Sequence, residues 1–443
     1  MAFTGPGERP RWHAGLATLA WLACWSAINA GPWHLRTTPG DLTDWLNWLR
    51  TLAPLALLAL WPLLTTLRRA PVRRPTAAEW CWIAYTLLAL LALVRMPDSL
   101  AQAYWGLAFL SVFVAVELST AGSAPLTRAM AMNRLNWALT TLLLLLMLFF
   151  ARDALLVRGE AGLTAHGLVN RANLGEIGPI SRSTGMARLA IVPAVVGLVF
   201  ALAGRGTARL WWAGLSLAAF LMIWLFQARQ GIIGAVVASG LVIWLQGGRV
   251  RTLGMLLTLA AGALWFAGLL PEERLATLWT YAMRGDSLAE LQSMTGRDLI
   301  WHVGWLAADQ SPWLGYGPQA DRVVLRANVS NGLLYAALAA GYPGAALYLG
   351  GLVWGWVLFV RAYLRGYAMT PDERLFLIQV GGIMAYLTLR HIPENTAALF
   401  SVDLLLYAPM LAWLGTLERV RGPAWRHQRA VGATPANTFR GER

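Results

Sequence analysis

Eleven arginines, Arg158, Arg171, Arg182, Arg188, Arg229, Arg274, Arg284, Arg297, Arg322, Arg326 and Arg390, lie in or beside connections that share one side of an apolar chain. A guanidinium is planar, permanently charged and forked, a geometry suited to bidentate contacts with phosphate oxygens. Isolated arginines of this kind are usually solvated or rest against lipid headgroups. Arg229 differs from them. It sits in Gln227-Ala228-Arg229-Gln230-Gly231, a very short link between two apolar runs, where a charge is costly unless it faces a cavity or a partner. Histidines bring a second chemistry, proton transfer near neutral pH. His302 follows Arg297 and Trp301, and His391 sits in Arg390-His391-Ile392-Pro393-Glu394-Asn395, where Glu394 is placed to orient or charge it. For either histidine the bland alternative is a hydrogen-bonded structural residue. His13, His34, His166 and His427 have no motif around them.

The elements that must position these groups are membrane spans. Of 443 residues, 57% are hydrophobic and 13% charged, with 24 tryptophans, too apolar for a soluble enzyme, a disordered chain or a nucleic-acid-binding domain. At roughly 20 residues per crossing, runs near 13–31, 45–66, 77–95, 99–121, 135–151, 188–204, 210–227, 231–247, 252–270, 332–360, 375–389 and 397–418 predict about twelve helices. The first run has no small-residue cleavage site ahead of a polar domain and reads as a retained helix. The formal charge is +14, and every basic residue is arginine.

Every second connection is basic: Arg68, Arg69, Arg73 and Arg74, then Arg128 and Arg134, Arg205 and Arg209, Arg249 and Arg251, Arg361 and Arg365, and the tail from Arg419. The positive-inside rule places these and both termini in the cytoplasm. Two longer segments, 152–187 and 271–331, fall on the opposite side. Within the second, 271–291 and 296–308 have helical propensity, and Ser311-Pro312-Trp313-Leu314-Gly315-Tyr316-Gly317-Pro318 reads as a turn-rich loop. Residues 1–270 thus carry nine spans, 271–331 a loop subdomain, 332–421 three more spans, and 422–443 a polar, disordered cytoplasmic tail. Cys24 and Cys81 lie in apolar runs and form no disulfide framework or metal-ligand spacing. Glu117 and Asp403, carboxylates inside apolar runs, are expected to pair with arginine or lie near helix ends.

Several of these segments resemble the O-antigen ligase and polymerase family of polytopic membrane glycosyltransferases. Gln227-Ala228-Arg229-Gln230-Gly231 resembles that family's arginine motif at a helix start. Thr295-Gly296-Arg297-Asp298-Leu299-Ile300-Trp301 is similar to its Gly-Arg…Trp motif, and Pro312-Trp313-Leu314-Gly315-Tyr316-Gly317 to its Pro…Gly-x-Gly element. Asn331, nine residues, then Gly341-Tyr342-Pro343-Gly344 matches the His-Asn-x9-Gly-x-x-Gly signature from its second position. Arg182 resembles the arginine that precedes the family's mid-chain helices. One position departs from the pattern. Ser330 stands where the family carries the histidine regarded as its general base, and an unperturbed hydroxyl cannot take a proton near neutral pH. An altered residue, another base such as His391 or His302, or different chemistry would each account for it.

The resemblance implies an all-α, GT-C-like polytopic membrane protein of about twelve transmembrane helices with a large periplasmic loop. It implies an enzyme of the bacterial inner membrane, with its active site facing the periplasm. The reaction would be transfer of a glycan from undecaprenyl diphosphate to a lipid A–core hydroxyl. An O-antigen polymerase or a protein O-glycan ligase remains open beside the ligase. So does a lipid-glycan transporter or flippase, for which about twelve helices is a common count. Arg182, Arg229 and Arg297 would receive the departing diphosphate, Ser330, Asn331 and His391 would occupy the catalytic positions, and an apolar groove would hold the polyprenyl chain. Gly341 and Gly344, with Pro343 between them, would bend the following helix or let it pack closely. The expected partners are the lipid-linked donor, the lipid A–core acceptor and membrane lipids, with no nucleic acid. No metal or other cofactor is expected, and the protein is expected to be a monomer.

Overall fold

A computed structural model describes residues 12–28, Gly40, 42–68, 73–96, 99–150 except Ser123, 171–173, 180–248 except Gln227, scattered positions to Leu256, 297–365, Tyr367 and 369–430. Within hydrocarbon, every backbone N–H and C=O must be satisfied inside its own segment, so the long Leu-, Ala- and Val-rich runs become helices. In chain order these are α1 (Trp12–Ser26), α2 (Leu42–Arg68), α3 (Ala77–Ala92), α4 (Leu100–Thr120), α5 (Pro125–Phe150), α6 (Ser183–Ala203), α7 (Gly206–Leu225), α8 (Arg229–Gln246), α9 (Arg297–Gln310), α10 (Ala320–Val324), α11 (Gly332–Leu364), α12 (Pro371–Arg390) and α13 (Val402–Ala430). A short antiparallel ribbon, β1 (Arg171–Asn173) with β2 (Ile180–Arg182), precedes α6 and pairs Arg171 with Arg182.

Eight of these helices are long and apolar enough to cross a membrane, which makes the chain a multi-pass membrane protein. Helices α1, α12 and α13 coincide with three further expected spans but are shorter or carry more charge. The expected span 252–270 and the helical segment 271–291 lie outside the described residues, as does most of 152–187. Two loop expectations hold: 296–308 appears as α9, and 311–318 as turns. The tail expectation needs correction, because α13 runs on to Ala430. The extension runs through Gly422 and Pro423, which disfavour a helix interior, before Ala424, Arg426, Gln428, Arg429 and Ala430, which favour one. Residues 431–443 lie outside the described set.

The basic connections gather at one end of the bundle as ion pairs. Arg73 bonds Glu79 (2.9 Å), Arg365 bonds Glu418 (3.0 Å) and Arg421 bonds Glu373 (3.0 Å). Glu79 and Glu373 also close capping boxes with Thr76 and Thr370 at the starts of α3 and α12, satisfying backbone donors that those helix termini would otherwise leave free. The core is built on close contact between α3 and α11. A Cβ at Gly351 would lie 2.4 Å from the Trp82 ring, and Trp82 Nε1 donates to the Tyr348 carbonyl at 3.0 Å. Small residues permit such approach where lipid offers no hydrophobic drive between helices.

Helix α11 is broken at Ala340 and Gly341, where Gly341 has φ +66°. Pro343 has no N–H to give the Ala339 carbonyl. The loop after α9 supplies what the break removes. Tyr316 N donates to Leu338 O at 2.8 Å, Gly317 N to Ala339 O at 2.9 Å, and Tyr342 N turns outward to Pro312 O at 2.7 Å. The two glycine-containing motifs therefore fit together as one joint. A Cβ at Gly315 would meet Ala340 N and Leu338 O at 2.6 Å, and one at Gly341 would meet Pro312 O at 2.6 Å. Gly315→Ala and Gly341→Ala are each expected to cost about 1–3 kcal/mol from backbone strain alone, with the overlap adding to it. Gly240→Ala, whose Cβ meets nothing within 4 Å, should leave the detergent-solubilised melting temperature unchanged or raise it.

Candidate functional site

At the end opposite the ion-paired one, the starts of α6, α8, α11 and α13 converge with the end of α12. Beside them lies a polar cavity of about 260 Å³, lined from α4, α6, α10, α12, α13 and the connections between them. Its charged lining comprises Arg188 from α6, Asp321 and Arg322 from α10, Arg390 from the last turn of α12, Glu394 from the turn after it and Asp403 from the first turn of α13. Gln319, Asn328, Asn395 and Ser401 complete the polar wall, and Trp105, Leu399 and Phe400 are among its apolar members.

Asp403 organises the positive side of the cavity. One of its oxygens, Oδ2, accepts from Arg188 Nη1 at 3.0 Å and lies 3.6 Å from Arg390 Nε. Its place in the first helical turn suits a carboxylate, because unpaired N–H groups point there. Arg390, 5% exposed, also donates to the Thr184 carbonyl at 2.9 Å and lies 4.0 Å from Glu394. Arg188 Nε, Arg390 Nε and Asp403 Oδ1 are buried and make no hydrogen bond among the described residues, although Arg390 Nε keeps its ion-pair distance of 3.6 Å to Asp403 Oδ2. Buried polar atoms without a hydrogen bond carry a desolvation cost of about 1–3 kcal/mol each. Arg322 is exposed, and among the described residues its side chain has no ion-pair partner.

The opposite wall is an amide and carboxylate network. Asp321 is 1% exposed. Its Oδ1 accepts from Arg322 N at 2.9 Å, while Oδ2 accepts from Val329 N at 3.3 Å and Asn395 Nδ2 at 3.4 Å. Burial pushes its carboxyl up to about 6, against the pull of the Arg322 charge and these three donors. Asn395 Nδ2 also donates to Asn328 Oδ1 at 2.9 Å, and that oxygen accepts from Ser330 N at 3.0 Å. Asn395 Oδ1 accepts from Asn331 N at 2.8 Å.

Of the expected site residues, Arg297 and Asn331 bond to the turn that follows α12 and His391 begins it, and among those whose side chains are described none lines the cavity. Asn331 caps α11, accepting from Leu334 N at 2.9 Å, and donates to the Ile392 carbonyl at 3.0 Å. Ser330 has φ +46° and reaches the network through its backbone. Arg297 Nη1 donates to the Pro393 carbonyl at 2.6 Å, and Trp301 Nε1 to the Val329 carbonyl at 2.7 Å. Arg229 is half-buried at the start of α8, next to Gln230, which donates to Glu394 Oε1 at 3.1 Å. Arg182 ends β2, ahead of the helix that bears Arg188; its side chain lies outside the described set. His302 lies on α9. Among the described residues, the arginines on the cavity wall are Arg188, Arg322 and Arg390, and neither Arg229 nor Arg297 is among them. A helical connection exposes its starting residue to several neighbours, and only the packed arrangement of the helix ends selects which guanidinium turns inward.

His391 needs a similar correction. Glu394 does not orient it. Tyr348 does, with its Oη 2.8 Å from His391 Nδ1. The Tyr348 hydroxyl donates to the Thr396 carbonyl, so the network assigns the Nδ1–H tautomer and leaves Nε2 as a buried lone pair without a partner among the described residues. The ring packs directly on Gly332, where a Cβ would fall 2.1 Å from it. Burial lowers its pKa to about 4, opposed by the Thr396 carbonyl and Asp403. The imidazole is enclosed and neutral. Asp321 was missing from the sequence reading, although it is the sole carboxylate between Asp309 and Asp372.

Fold and cavity together define a multi-pass helical membrane protein with a charged pocket at one end of its bundle. No family model, curated protein or solved structure matches the chain.

Asp403→Asn is expected to destabilise the protein by about 3–5 kcal/mol, because two buried guanidiniums lose their counter-ion. Asp403→Leu combined with Arg188→Met and Arg390→Met should recover most of that loss in thermal unfolding. His391 has a folded-state pKa below its ordinary 6.5, so the unfolded chain takes up its proton first. The stability that neutral His391 provides is complete above about pH 6.5 and is lost as pH falls toward 4. Melting temperatures across that window should fall more steeply for the wild type than for His391→Gln.

Proposed function

We propose that the protein is a membrane glycosyltransferase that moves a glycan from undecaprenyl diphosphate to a lipid A–core hydroxyl on the periplasmic face of the bacterial inner membrane. In this reading about twelve helices cross the membrane in a GT-C-like layout, both termini are cytoplasmic and the cavity faces the periplasm. The observation that carries the reading is the set of three guanidiniums, Arg188, Arg322 and Arg390, brought from three elements to the wall of one polar cavity. Donors held in place before the reaction, in a space poor in water, suit an anion whose charge grows during bond breaking. Asp403 keeps the two inner arginines in position until the diphosphate arrives.

The acceptor oxygen attacks the anomeric carbon, the bond from that carbon to the diphosphate oxygen breaks, and the departing oxygen takes the electron pair. The motifs that resemble O-antigen ligases support the assignment. Gln230 of the arginine motif, Arg297 and Asn331 all bond to the turn that contributes Glu394 and Asn395 to the cavity. Arg229, Arg297 and Arg182 then act at the starts of elements that lead to the pocket, and Asn331 fixes the turn. The same pocket would serve an O-antigen polymerase or a protein O-glycan ligase, which differ only in the acceptor.

The test is reconstitution of the purified protein with a lipid-linked glycan and lipid A–core. Covalent transfer with release of undecaprenyl diphosphate is expected. Movement of the glycan lipid between leaflets with no bond formed would instead identify a transporter. Removing one charge-assisted contact with Arg322→Ala should reduce transfer about 10- to 100-fold. Excess chelator should leave the rate unchanged, and a chelator-sensitive rate would overturn the metal-free mechanism.

A further inference from the structure

The transfer just proposed needs a group to take the proton of the attacking hydroxyl. Ser330 occupies the position where the resemblance leads one to expect a histidine, and His391 is sealed against Gly332 and Tyr348 away from the cavity lining. We propose that the carboxylate of Asp321, in the cavity wall, is the proton acceptor for the incoming sugar hydroxyl. The inference rests on the glycan-transfer reading of the site.

Three observations support it. Asp321 belongs to the wall of the same cavity as Arg188, Arg322 and Arg390, so one bound substrate can touch both the phosphate-binding groups and the base. The other two acidic groups of that wall face guanidiniums, Asp403 those of Arg188 and Arg390 and Glu394 that of Arg390. Asp321 instead accepts from neutral backbone and amide N–H groups, which fix its orientation without an ion pair. It is also joined to the expected base position through hydrogen bonds alone: Asp321 to Asn395, Asn395 to Asn328, and Asn328 to Ser330.

The charged and titratable groups around it come from several elements. Arg322 adjoins it on α10, Tyr335 on α11 and Tyr85 on α3 feel its charge, and Arg188, Arg390, Glu394 and Asp403 share the cavity. Burial raises Asp321 to the range where a carboxylate is still ionised at neutral pH yet basic enough to accept a proton as the acceptor oxygen forms its bond. In the step, the acceptor O–H proton passes to an Asp321 oxygen. The acceptor oxygen bonds the anomeric carbon, and the diphosphate leaves with the electron pair of the broken bond. The proton returns to solvent once product departs.

The decisive experiment measures the pH dependence of transfer in reconstituted wild type, Asp321→Asn and Asp321→Ala, with formate added to the last. The wild-type rate should fall about tenfold per pH unit below about pH 6. Both variants should lose about 10²- to 10⁴-fold and show no acidic limb, while binding undecaprenyl diphosphate as the wild type does. Formate should restore part of the Asp321→Ala rate, which a purely structural role would not allow. His391→Gln should keep the acidic limb. A variant with wild-type rate, or a folded, donor-binding Asp321→Ala that formate does not rescue, would overturn the inference and leave the transfer reading standing. Should neither variant fold, a wild-type rate that stays level below pH 6 would overturn it. A wild type that forms no glycosidic bond with any lipid-linked donor would overturn the transfer reading, and this inference with it.

Discussion

A single buried carboxylate, Asp403, holds two buried guanidiniums apart and in place. Arg188 reaches it from α6 and Arg390 from the end of α12, so three helices meet at one oxygen. Two cations near one anion would be unfavourable in a dry interior. The Thr184 carbonyl and Glu394 share the load on Arg390, and the cavity remains polar. The pairing is incomplete, because Arg188 Nε and Asp403 Oδ1 are both buried without a hydrogen-bond partner among the described residues. The wall sets three guanidiniums against three carboxylates, and the clamp on Asp403 holds Arg188 and Arg390 in fixed positions.

The rest of the cavity end serves that arrangement. The turn after α12 carries Glu394 and Asn395 into the wall, and it is pinned from three directions: by Arg297 through Pro393, by Asn331 through Ile392 and Asn395, and by Tyr348 through Thr396. The broken helix α11 matters for the same reason. Its interruption at Gly341 lets the loop after α9 enter and hydrogen bond, and Gln102 of α4 holds that loop by the Tyr316 and Pro318 carbonyls. The loop then delivers Gln319, Asp321 and Arg322 to the pocket. At the other end, the arginines pair with glutamates at helix starts and ends, which fastens the helices without adding charge to the cavity.

Much of this was legible in the residues. Apolar run length marked the positions of eleven described helices, because a span must satisfy its own backbone. Asp403 was recognisable as a carboxylate in need of an arginine or a helix end, and it has both. The segments that hold Gln230, Arg297 and Asn331 meet at the turn after α12, and Pro312 to Gly317 meets Gly341 at the break in α11. What the residues could not show was the rotation of each helix end. Arg188 and Arg390 turn inward, while Arg297 bonds a backbone carbonyl, and nothing in their local sequence separates these outcomes. The partner of His391 was equally hidden, since Tyr348 lies 43 residues away on another helix. Asp321 carried no motif, and only its burial beside the cavity distinguishes it from a surface acid.

A cryo-electron microscopy map of the protein with a bound polyprenyl diphosphate would test the account most directly. The account predicts density for the two phosphates between Arg188, Arg322 and Arg390, within hydrogen-bond distance of their guanidinium groups. Phosphate density elsewhere, with that cavity holding only water and Asp403 still clamped between its arginines, would contradict it.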